Sequence, residues 1–208
     1  FAENDAGSAA DADDSISVAA VNRPLLAPND VFYGHIYHSE DDDYFTVNLE
    51  QNQSYYFRLY DIPETETYNI AIFSETGTMK VSEEGGEPGE EMVCIFRPPT
   101  GEGGTYYVKI YPDSDTDYDS SDPYQIFYQR AYTICRGASY PAYDFSTFSS
   151  AVSDLHASGG RITDYPITSP KIFLVYDNGG EYTETVWNRE DLAGSSPINT
   201  VTFMAAPG

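Results

Sequence analysis

A chain of 208 residues is long enough to bury a real core, as one large domain or as one ordinary domain with a further unit. Its 34 Asp and Glu against 10 Lys and Arg give a formal charge of −24, which argues against nucleic acid and anionic membrane as partners and in favour of cations. The 19 Tyr and 11 Phe supply more aromatic area than disordered chains carry, and no apolar run reaches the length of a membrane span.

Residues 1–29, rich in Ala, Asp, Ser and Asn and without periodicity, read as an extended N-terminal arm. No charged-then-apolar leader is present, so export would require one already removed. From there the pattern is β. Short runs of aromatic and β-branched residues occupy 30–37, 44–49, 54–62, 68–74, 78–82, 91–97, 105–111 and 124–133, with turn-forming clusters between them. Tyr106, Val108 and Ile110 alternate with Tyr107, Lys109 and Tyr111, and Tyr55, Phe57 and Leu59 with Tyr56, Arg58 and Tyr60. Such alternation means one buried face and one wet face. Eight strands without intervening helices exclude parallel crossovers, which leaves an antiparallel β-sandwich, jelly-roll-like in outline.

After Cys135 the character changes. Residues 144–158 place Phe145, Phe148, Val152 and Leu155 on one helical stripe that stops at Gly159 and Gly160. Strands follow near 171–176, 182–187 and 200–204, and the sequence stops just after the last. The expectation is therefore a sandwich over 1–135 and, over 136–208, an incomplete unit with one capping helix and short strands. Cys94 and Cys135 belong to no Cys-x-x-Cys pair, and a disulfide between them or two buried thiols would both fit.

Glu3-Asn4-Asp5, Gly34-His35-Ile36, Asp43-Tyr44-Phe45-Thr46-Val47, Gly104-Thr105-Tyr106-Tyr107-Val108-Lys109-Ile110 and Tyr124-Gln125-Ile126 occur in the order and spacing of the bacterial pre-peptidase C-terminal domain. Residues 3–133 resemble that family, which includes the calcium-dependent collagen-binding modules of clostridial collagenases. The second unit looks like the opening of a right-handed parallel β-helix of the pectate-lyase type. The carriers are Phe145 to Val152, Gly159-Gly160-Arg161-Ile162, Gly180 to Val186 and Thr200 to Gly208. Stacked coils of that kind share a core, so the first coils alone are incomplete.

The first resemblance implies a calcium site formed where the arm folds back on the acidic turn. Asn4 and Asp5 match the arm ligands, Glu40 and Asp43 the turn ligands, and His35 would lend a backbone carbonyl. Glu3 is adjacent to Asn4, where the family usually leaves a larger spacing. The solvated-turn reading of Glu40-Asp41-Asp42-Asp43 stands beside this one. Asp113-Ser114-Asp115-Thr116-Asp117-Tyr118-Asp119 lacks the glycine and the closing glutamate of an EF-hand and reads as a solvated hairpin loop. The outward Tyr56, Tyr60, Tyr107 and Tyr111 form a candidate aromatic strip for a peptide or a sugar ring, with cross-strand stacking as the plain alternative.

His35, His38 and His156 share no metal-ligand spacing, and no nucleophile elbow, zinc-helix motif or phosphate loop is present. The expectation is a monomeric, non-catalytic accessory module of a secreted or cell-surface bacterial protein, binding extracellular polysaccharide or matrix protein. The rival expectations place it at the head of a carbohydrate-active enzyme, with a polysaccharide-lyase-like β-helix, or of an adhesin stalk.

Overall fold

The computed structural model describes residues 12, 16, 23–136, 143–157, 160–162, 168–176 and 200–206. Among these, β1 (Val31–Ile36), β2 (Asp43–Leu49), β3 (Ser54–Tyr60), β4 (Tyr68–Ser74), β5 (Met79–Glu83), β6 (Met92–Phe96), β7 (Gly104–Pro112) and β8 (Asp119–Cys135) fall where alternation predicts them. The expected strand at 182–187 lies outside the described residues. The fold is mainly β, a sandwich with a small helix-bearing unit, as the sequence leads one to expect.

The chain divides into two compact units, one within Phe1–Gln51 and Tyr55–Gln129, the other within Asn52–Ser54 and Arg130–Gly208. The division falls inside β8 rather than at its end.

In the first unit, one sheet runs β2-β7-β4-β5 and the other joins β1, β8, β3 and β6, with β8 between β1 and β3. All registers given for these neighbours are antiparallel. The period of two decides which side chains enter the core. Phe45, Val47 and Leu49 of β2, Phe57 and Leu59 of β3, Ile70 and Ile72 of β4, Val108 and Ile110 of β7, and Tyr124 and Ile126 of β8 are all buried between the sheets. At about 25 cal/mol per Å2 of apolar area, each such side chain contributes about 1.5–3 kcal/mol. Phe57 stacks on Tyr128 at 5.3 Å, and Tyr68 meets Tyr124 edge-on at 5.9 Å.

In the second unit, β9 (Lys171–Tyr176) pairs in parallel with residues 131–135 of β8, and β10 (Val201–Ala205) pairs in parallel with β9. The register sets Tyr132, Phe173 and Phe203 side by side, and their rings follow one another at 5.6 and 4.8 Å. α1 (Phe148–Leu155) is shorter than the predicted stripe. Phe145 exchanges backbone hydrogen bonds with Thr133 and Cys135, so it serves as a bridge residue rather than a helical one. The Asp144 carboxylate accepts from the Thr133 N–H and hydroxyl, both at 2.9 Å. The helix consequently starts one turn late, capped by Thr147, whose hydroxyl accepts from the Ser150 N–H at 3.0 Å. Within it Ala151 and Leu155 are the buried residues, and Val152 is only half-buried. Both cysteines are free and buried, which decides between the two readings of that pair.

Candidate functional site

The acidic turn between β1 and β2 sorts its four carboxylates by parity. Asp43 is the first inward position of β2, in line with Phe45, Val47 and Leu49, and Asp41 shares its parity. Both carboxylates are 0% exposed. Asp42 points the other way and pairs with Lys109 Nζ at 2.7 Å, while Glu40 is exposed. Wholly buried carboxylates are costly unless hydrogen bonds or a cation compensate. The Tyr37 N–H donates to Asp41, whose own N–H donates to the His38 carbonyl at 3.0 Å. The Tyr124 hydroxyl donates to Asp43. His35 is half-buried and stacks on Tyr37 at 5.5 Å.

Tyr124 reaches Asp43 because the residue opposite it on β1 is Gly34. A Cβ at Gly34 would collide with the Tyr124 hydroxyl and Cζ. Gly34→Ala is therefore expected to cost about 1–3 kcal/mol through overpacking, measured by urea unfolding. A loss within about 0.5 kcal/mol would mean that Tyr124 has room to retreat.

The arm is anchored beside this turn. Leu25 forms a parallel bridge with Thr46 of β2, the Leu26 N–H donates to the Thr46 carbonyl at 2.9 Å, and the Thr46 N–H donates to the Pro24 carbonyl at 2.8 Å. The Leu26 side chain enters the core, and its carbonyl accepts from the Tyr128 hydroxyl at 3.2 Å. Arg23 lies 4.7 Å over the Tyr107 ring. Glu3, Asn4 and Asp5, the arm residues singled out in the sequence, lie outside the described residues. Among the described residues no group of three or more His, Cys, Asp and Glu is arranged to hold a metal.

The sequence places Asp41 in the acidic turn without a role of its own, and its complete burial is what the structure adds. Its signal was the offset of two from Asp43, which on an extended segment puts both carboxylates on one side.

The tyrosines do not form the single strip expected of them. Tyr56 and Tyr60 sit on β3 and Tyr107 and Tyr111 on β7, so they belong to opposite sheets of the sandwich. Tyr56 and Tyr107 are also buried in their faces, whereas Tyr60 and Tyr111 are half-exposed. Lys109 Nζ lies 4.3 Å over the Tyr111 ring, and the Tyr111 hydroxyl donates to Glu84 at 2.6 Å. The aspartate loop at 113–119 is largely exposed and closes on itself through the Ser114 hydroxyl, which donates to Asp117 at 2.6 Å.

Burial leaves several protons held tightly. Burial first and the Asp42 charge second push the Tyr44 hydroxyl from 10.0 up to about 12. Burial and then Tyr55 take Tyr128 to about 12, and burial and then Glu83 take the Cys94 thiol from 9.0 to about 12. The native chain thus keeps protons that the unfolded chain gives up. Stability from these groups is complete below pH 9.0 and is lost as pH rises towards about 12. A melting temperature that is flat below pH 9.0 and falls above 10.0, with tyrosinate absorbance rising as the fold is lost, is the expected result. Titration of all the tyrosines with a single midpoint at 10.0 while the fold stays intact would contradict it.

No protein-family model and no curated protein matches the chain. Similar solved structures include the pre-peptidase C-terminal domain of a collagenase from Bacillus anthracis (14% identity, TM-score 0.38, 52% of this chain and 95% of that one). CorA, a surface-associated copper-binding protein of Methylomicrobium album BG8, is 8% identical with a TM-score of 0.40, over 53% of this chain and 98% of that one. A CBM4 structure is 9% identical with a TM-score of 0.34, over 50% and 73%.

Proposed function

We propose that the chain is a non-catalytic accessory module of a secreted or cell-surface protein, and that its sandwich is stabilised by one calcium ion at the turn into β2. The observation that carries this is the complete burial of both Asp41 and Asp43, hard oxygen donors of one parity at the mouth of the core. Asp41, rather than the exposed Glu40, is the turn ligand that pairs with Asp43. Calcium needs six to eight oxygens, and the remaining donors are assigned to the arm at Glu3, Asn4 and Asp5 and to the His35 carbonyl. The parallel bridge at Leu25 supports this, because it runs residues 24–26 alongside β2 in the same direction, close to Asp43. Bound calcium would balance the two buried charges in a chain of net charge −24. Titration of the chelator-stripped chain with calcium chloride is expected to give saturable heat at one site and a raised melting temperature. No heat and an unchanged melting curve would overturn the assignment.

A second reading concerns the smaller unit. Its parallel strands, with Tyr132, Phe173 and Phe203 in one ladder, favour the opening coils of a right-handed β-helix. On that reading the module accompanies a polysaccharide-lyase-like enzyme or an adhesin stalk. Release of unsaturated oligosaccharides from polygalacturonate by this chain would overturn the non-catalytic reading.

A further inference from the structure

The outer face of the β1-β8-β3-β6 sheet carries features that the calcium site does not use. Core burial of Tyr124, Ile126, Phe57 and Leu59 fixes the parity of β8 and β3, so Gln125 of β8 and Arg58 and Tyr60 of β3 point outward. On β1, Tyr33 is paired directly with Gln125 and is 50% exposed, a large aromatic left in water on an edge strand. Strands ~4.8 Å apart set Tyr33 and Tyr60 ~10 Å apart across β8.

Polar groups on this face are already held in place. Glu91 grips the Arg58 guanidinium through two bonds of 2.6 Å, and Arg58 lies 4.4 Å over the Tyr60 ring. The Gln125 amide donates to Asp61 at the end of β3. The Arg58 cation therefore stands beside two carboxylates, Glu91 and Asp61, on a chain of net charge −24, so an anionic polymer would be repelled. The Gln125 amide between the two rings, and the guanidinium of Arg58 on one face of Tyr60 with the other face left for a ligand, suit alternating hydroxyls and apolar sugar faces. A protein partner would want a continuous apolar centre instead.

We infer that this face, centred on Tyr33, Arg58, Tyr60 and Gln125, binds a neutral oligosaccharide whose rings stack on Tyr33 and Tyr60. The inference rests on the reading of the sandwich as a non-catalytic binding module, and it is independent of the calcium ligands.

The test is calorimetric titration of the full chain with cellohexaose, laminarihexaose, xylohexaose and mannohexaose, with hexagalacturonate as the charged arm and a collagen-like triple-helical peptide as the protein arm. At least one neutral hexaose is expected to bind. Tyr33→Ala and Tyr60→Ala should each weaken it by about tenfold or more. Tyr111→Ala, on the opposite sheet, should leave it unchanged. Circular dichroism of each variant verifies that it is folded, and Tyr60→Phe, which keeps the ring, should retain binding. The inference is overturned if none of the four neutral hexaoses binds, if only hexagalacturonate or the collagen-like peptide binds, or if both alanine variants bind as the parent does. Cleavage of a hexaose during the titration would instead sink the non-catalytic reading, which separates the two failures.

Discussion

Asp43→Asn is expected to make the sandwich indifferent to calcium while leaving it at least as stable as the parent in chelator. The two halves of that result have separate causes. The amide keeps the shape of the carboxylate and an oxygen to accept from the Tyr124 hydroxyl, so that hydroxyl keeps its partner. It also removes a buried carboxylate charge, and with it the cost of keeping that charge out of water when no cation is bound. In calcium at about 100 times its dissociation constant the parent gains about 2.7 kcal/mol, or about 10 °C in melting temperature, and the variant gains nothing. Asp43→Ala lacks that acceptor and should lose a further 1–3 kcal/mol, roughly, in either buffer.

Two neighbouring variants sharpen the assignment. Glu40→Gln should keep the full calcium response because Glu40 is exposed. Asp42→Asn should keep it too, although it loses the ion pair with the largely buried Lys109. A calcium response in Asp43→Asn equal to that of the parent would remove Asp43 from the site.

The strands were legible because alternation is a local signal. Tyr106, Val108 and Ile110 face inward in the structure as their spacing requires, and each strand of the sandwich lies close to its predicted run. What a strand pairs with is not local. Tyr60 and Tyr111 look equivalent in sequence, yet the chain crosses between the sheets three times from β3 to β7 and leaves them on opposite sheets. Tyr33 is conspicuous only once β1 is known to lie at the margin beside β8. The late start of α1 has the same character, because it depends on Asp144 and Phe145 finding Thr133 and Cys135, residues on β8 that periodicity in the helix itself cannot reveal. Around Asp43 the acidic run drew attention, but which of its carboxylates are buried, Asp41 and Asp43, depends on how the turn enters β2.

Phe173→Ala is expected to be the most damaging single change in the smaller unit, at about 3–5 kcal/mol. Phe173 is wholly buried at the centre of β9, stacked on Phe203 at 4.8 Å and 21° and packed against Tyr132 and Phe145 at 5.6 and 6.1 Å. Truncation removes the transfer energy of the ring, opens a cavity that a parallel ladder with fixed register cannot close, and forfeits several aromatic contacts worth about 0.5–1.5 kcal/mol each. Phe173→Leu restores most of the volume without the stacking, so its loss should be less than half as large. Phe203 is 40% exposed at the end of the same ladder, so Phe203→Ala should cost far less than Phe173→Ala. Amide hydrogen exchange across 171–176 and 201–205 reads the difference locally. If Phe203→Ala speeds exchange in β9 as much as Phe173→Ala does, the ladder does not carry the stability of this unit, and α1 with its cap at Thr147 would have to carry it instead.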